Sequence, residues 1–114
     1  MSYESEIEAY FKCKLPYTYK EFLKNYDQEL KADTYLYLAE DVIERNKCYE
    51  TKEYAPGYIS IGNNGGGQAL ILPLSGNDPS VFIVDHGSMD PEDKVLLSTS
   101  FSSWIKSELN FEFK

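Results

Sequence analysis

Apolar residues along this chain recur at two periods, and the change of period divides it into parts. Residues 58–85 have the period of strands. Three short apolar runs, YISIGNN, GGGQALILPL and SGNDPSVFIVD, are separated by turn-forming residues. In the first run Ile59 and Ile61 alternate with Tyr58 and Ser60, as a half-buried strand requires. Asn63, Asn64, Gly65, Gly66 and Gly67 tolerate positive φ, which predicts a hairpin reversal. Residues 69–72 are continuously apolar, suiting a central strand covered on both faces, and Pro73 falls where that strand leaves the ladder. Residues 75–79 form a second turn cluster, and residues 80–85 a third strand ending in a charge. The stretch predicts a three-stranded antiparallel meander.

The flanks have helical spacing. Residues 2–12 predict a short helix with Ile7, Tyr10 and Phe11 on one face, and with Glu4, Glu6 and Glu8 toward the positive end of its dipole. Thr18 and Glu21 have the spacing of a capping box. Tyr19, Phe22, Leu23 and Tyr26 then form one buried stripe, which Asp27 and Gln28 should end. Residues 35–38 read as a short strand with tyrosines on one face. Residues 39–49 read as a helix with Val42 and Ile43 inward and Glu40 and Glu44 in water, followed by a polar approach at residues 50–56. After Asp85 an acidic loop leads to a short edge strand or extended run at residues 95–97. Ser98 or Ser100 should cap a last helix, in which Phe101, Trp104, Ile105 and Leu109 share a face and Trp104 serves as a core anchor. The tail from Asn110 reads as less ordered. Helices, then antiparallel strands, then a helix predict an α+β fold: one central antiparallel sheet with N-terminal, middle and C-terminal helices packed on it.

Length adds that residues 1–114 support one domain with one core. Aromatics reach 15%, with 10 Tyr and 6 Phe, enough both to fill a core and to line a partly wet surface. A formal net charge of −8 argues against direct nucleic-acid binding and against an anionic membrane surface; it steers the chain toward basic partners, although solubility explains many acidic proteins. No apolar run approaches the ~20 residues of a membrane span, and Glu4, Glu6 and Glu8 interrupt any signal-peptide pattern, which predicts a cytoplasmic protein. Cys13 and Cys48 belong to no CxxC pair and read as reduced, partly buried thiols.

Candidate chemistry is sparse. The glycine-rich run lacks a following Gly-Lys-Ser/Thr and leads into a strand, so a hairpin turn describes it better than a phosphate loop. His86 is the one histidine, and Asp85, Asp90, Glu92 and Asp93 surround it in sequence. That set could ligate a metal or supply a base. However, calcium-loop spacing and a second histidine are both missing, so a solvated acidic loop fits it better. Gly-x-Ser-x-Gly is absent, and a glycosidase-like carboxylate dyad is unsupported. The residues describe a binding module with no catalytic set, cofactor or metal.

Four features in order resemble a known family: Leu15-Pro16 followed by Tyr19-Lys20-Glu21-Phe22-Leu23; Ile59-Ser60-Ile61-Gly62-Asn63 with its glycine-rich turn; Val81-Phe82-Ile83-Val84-Asp85-His86; and residues 98–105 with Phe101 and Trp104. Together they look like the SUKH superfamily, which includes the fungal Smi/Knr cell-wall regulator, over about residues 15–109. One departure is visible: Tyr26-Asp27-Gln28 stands where the family usually has Asn-Gly. The resemblance implies a central antiparallel sheet and no catalytic set. It also implies one of two roles. The first is that of the small bacterial members, immunity proteins that neutralise a cognate toxin domain, often a nuclease. The second is that of an intracellular regulatory or scaffolding module. The physics suits the first, since a nuclease must be basic to hold phosphates and an acidic protein can occupy that surface. The expected partner surface comprises the acids Asp85, Asp90, Glu92 and Asp93 together with the rings of Tyr35 and Tyr37. The oligomeric state is left open.

Overall fold

The computed structural model describes residues 3–25, 36–37, 39–63, 67–85, 87 and 90–106. Its elements run α1 (Tyr3–Phe11), α2 (Tyr17–Asn25), α3 (Ala39–Cys48), α4 (Thr51–Tyr54), β1 (Tyr58–Asn63), β2 (Gln68–Pro73), β3 (Val81–Asp85), a 3-10 turn (Pro91–Asp93), β4 (Val95–Ser98) and α5 (Phe101–Lys106). The four strands form one antiparallel sheet in sequence order, with helices before and after it, so the fold is α+β. The expected meander is present, and the edge strand read at residues 95–97 completes the sheet as β4.

Register explains which residues face the core. Ile59 lies opposite Leu72, Leu70 opposite Ile83, and Ile83 opposite Val95. Ile59, Leu70, Leu72, Val81 and Ile83 join Ile7, Tyr19, Leu23, Val42, Phe101 and Trp104 in the main core. On the other face Ala69, Ile71 and Val84 form a smaller buried cluster with Tyr49, Tyr58 and Phe82 packed on it. β1 is therefore buried on both sides rather than half-buried, because Ser60 is as inaccessible as Ile59 and Ile61. The continuous apolar run of β2 has the two covered faces expected of it.

Local chemistry sets where the helices begin and end. Lys12 adopts a left-handed conformation (φ 56°), which stops α1 and lets the Cys13 N–H bond the Glu8 carbonyl at 3.1 Å. The capping box expected in α2 does not form. Thr18 lies inside the helix, its N–H donates to the Asn77 carbonyl at 2.8 Å, and its hydroxyl donates to Asp78 at 3.0 Å. A loop distant in sequence has taken the place of a local cap. Ser100 does cap α5, its Oγ accepting from the Ser103 N–H at 3.1 Å. The polar approach at residues 50–56 contains α4, begun by Glu50 in a left-handed conformation and anchored by buried Thr51 and Ala55. Cys13 and Cys48 are free and exposed, not partly buried, because each sits at a helix end facing water.

Candidate partner-binding surface

The two sheet edges are treated differently. At β1 the Asn46 side chain, wholly buried on α3, donates Nδ2–H to the Ser60 carbonyl at 2.9 Å and accepts from the Ser60 N–H at 2.8 Å. Its second N–H donates to the Val42 carbonyl at 2.8 Å. Farther along, Leu36 bridges to Gly62 and the Tyr37 N–H donates to the Ile61 carbonyl at 2.9 Å. The β1 edge is thus occupied. At the other edge, β4 pairs with β3, and among the described residues nothing pairs with its outer side. Val95 and Leu96 are 41% and 39% exposed there.

The acidic candidates sit next to that second edge. Asp85 closes β3, and the 3-10 turn follows before β4 begins, so the carboxylates lie at one end of the β3–β4 pair. Two of these acids bond the backbone two residues on: Asp85 Oδ1 accepts from the Gly87 N–H at 2.7 Å, and Asp90 Oδ1 from the Glu92 N–H at 2.9 Å. Glu92 and Asp93 are exposed. Lys94, the nearest base in sequence, is engaged elsewhere: its Nζ donates to the Pro91 carbonyl at 3.2 Å and lies 5.1 Å from the centre of the Phe82 ring. Among the described residues, Asp85, Glu92 and Asp93 form no ion pair. The charges of Asp85, Glu92 and Asp93 face solvent.

Tyr37 does not join them. It is a buried residue at the β1 edge, two strands from β3, and burial pushes its hydroxyl above the ordinary tyrosine pKa. Its ring lies 5.8 Å from the Arg45 guanidinium. The alternation of tyrosines suggests an exposed face, but the backbone bond to Ile61 turns this ring into the core. Tyr35, His86 and residues 26–28, 38 and 107–114 lie outside the described residues.

One polar centre was not visible in the sequence. Asp78, in the β2–β3 turn, accepts from the Ser100 hydroxyl at 2.6 Å, the Ser102 hydroxyl at 2.7 Å, the Ser102 N–H at 2.9 Å and the Thr18 hydroxyl at 3.0 Å. Partial desolvation raises its pKa, but the donors from Ser100, Ser102 and Thr18 outweigh this and hold the carboxyl down to about 2. With both oxygens accepting hydrogen bonds, Asp78 ties α2 to α5 at the end of the sheet opposite the acidic loops. Beside it lies a shallow hollow of about 310 Å³ lined by Tyr17, Phe22, Phe101 and Ile105. The serines of residues 98–103 together with the Asp78-Pro79 turn were the only available signal, and they read equally well as ordinary loop chemistry.

The order of these elements agrees with a match over nearly the whole chain: the family model for the SMI1 / KNR4 family (SUKH-1) matches residues 5–107. The chain belongs to the SMI1 / KNR4 family. No curated protein matches it. In this SUKH-1 chain, the motifs that carried the resemblance are core and turn residues. Tyr19, Leu23, Ile59, Ile61, Val81, Phe101 and Trp104 are all buried, so the motifs specify the fold and leave the partner surface to other residues. Among the described residues no group of three or more His, Cys, Asp or Glu is arranged to hold a metal ion, and no helix is long and apolar enough to cross a membrane.

Proposed function

We propose that this SUKH-1 chain is a non-catalytic protein-binding module, an immunity protein that binds and neutralises a cognate toxin domain in the cytoplasm, with a basic nuclease as the expected toxin. The observation that carries the reading is the acidic end of the β3–β4 pair, formed by Asp85, Asp90, Glu92 and Asp93 on a chain of net charge −8. A nuclease surface that attracts phosphates attracts these carboxylates for the same reason, and occupying that surface excludes the nucleic acid. Long-range attraction speeds the encounter, and apolar contact beside the charges slows release.

The test is co-expression. Bacteria producing a polymorphic-toxin nuclease domain should survive when they also make its cognate SUKH-1 chain, and the two proteins should co-purify at fixed stoichiometry. Survival without a complex, or a complex that leaves nuclease activity intact, contradicts the reading. Stable capture of a non-toxin regulatory protein in place of any toxin domain would favour a scaffolding role.

A further inference from the structure

The contrast between the two sheet edges specifies how a partner engages. An exposed edge strand presents alternate N–H and C=O groups to any extended chain, and proteins normally block such edges. Here β1 is blocked twice, by the Asn46 amide and by the Leu36–Tyr37 backbone. No described residue blocks β4, and its two exposed positions, Val95 and Leu96, are apolar where edge protection would place charge. Leu96 stands opposite Phe82 on one face of the sheet, and Val95 opposite Ile83 on the other. A fifth strand laid along β4 would therefore extend both apolar faces at once.

Charge selects the occupant. Asp85, Asp90, Glu92 and Asp93 lie at the end where β4 starts. Two copies of this chain, each at −8, would bring like charges together if they paired edge to edge. An extended segment carrying basic residues meets the carboxylates at the start of β4. We infer that the outer edge of β4 is a β-augmentation site that takes an extended, basic strand of the partner protein. This rests on the toxin-binding reading for the identity of the partner, but the edge chemistry can be tested without it.

The probe is a hairpin peptide, closed by an Asn-Gly turn, whose free strand reads Lys-Val-Thr-Val-Thr-Val-Lys, with a counterpart ending in Glu at both positions. Amide hydrogen exchange of the full chain is followed by NMR. With the Lys-ended peptide at ten times its Kd, the outward-facing amides of β4 should exchange roughly tenfold more slowly. The Glu-ended peptide should protect none. Leu96→Lys, a change at an exposed position, should leave the circular dichroism spectrum intact and abolish the protection. Three results overturn the inference: perturbation confined to Asp85–Asp93 with β4 amides unprotected, equal protection by both peptides, or β4 protection that grows with protein concentration in the absence of peptide and so indicates self-pairing. Failure of the co-expression test would leave this readout standing. Failure here would leave toxin binding to another face.

Discussion

The side-chain amide of Asn46 pairs with the backbone of Ser60 as a neighbouring strand would, giving one bond and taking one. A helix side chain thereby closes the β1 edge and fixes α3 against the sheet. Asn46→Ala would leave the buried Ser60 N–H and C=O without partners, and a buried polar group stranded in this way costs about 1–3 kcal/mol. The expected loss for the pair is about 2–6 kcal/mol, seen as a lower urea midpoint. Freeing this edge should also increase aggregation. A midpoint unchanged from the parent would mean that the pairing is dispensable.

Trp104→Ala should destabilise the fold rather than act on binding. The indole is 2% exposed and contacts the Phe101 ring at 6.2 Å between centroids. Truncating a buried Trp costs about 3–5 kcal/mol, a large share of a small domain's stability. Equilibrium denaturation measures it; a loss of partner affinity at constant stability would move Trp104 to the interface.

The strands and the Trp104 stripe were legible because their determinants are local: a period of two, a period of 3.6, and turn residues between. The features that escaped are those in which a side chain serves a distant backbone. An asparagine on a helix reads as a wet position, and nothing near Asn46 in sequence reveals Ser60. Thr18 and Glu21 have the spacing of a cap, but the Asn77 carbonyl and Asp78 claim Thr18 first. The four residues of α4 are too few for any period to show. The acidic end of the sheet was readable as composition. Its position beside a sheet edge that no described residue pairs was not, because that depends on strand order. Tyr37 followed the strand pattern, yet its exposure depended on what packed against it.

Acid should weaken the Asp78 clamp, and the sign follows from its low pKa. The folded carboxyl sits at about 2, below its ordinary 3.8, so the unfolded chain binds the proton first as pH falls. The stabilisation from this group is complete above pH ~4 and is lost as pH falls through about 2. Between pH 5 and 2 the melting temperature of the parent should fall more steeply than that of Asp78→Asn, which has no carboxyl to titrate. Parallel curves for the two proteins would contradict the clamp.

Tyr19→Phe should be neutral or stabilising by about 1 kcal/mol. Among the described residues its buried hydroxyl has no hydrogen-bond partner, and desolvation drives its pKa far up. The ring retains its edge-on contact with Phe101 at 5.5 Å. A marked drop in the urea midpoint would reveal a role for the hydroxyl.

Association kinetics decide whether the acidic end of the β3–β4 pair receives a basic toxin domain. Asp90→Asn, Glu92→Gln and Asp93→Asn are combined; the amide oxygen that replaces the Asp90 carboxylate can still accept from the backbone N–H of position 92, so the turn is retained. The rate constant for binding the cognate toxin is then measured at low and high salt. The association rate should be about tenfold lower than the parent's at low salt, with a flatter salt dependence and convergence of the two proteins at high salt. An association rate and salt dependence equal to those of the parent would show that the partner binds elsewhere.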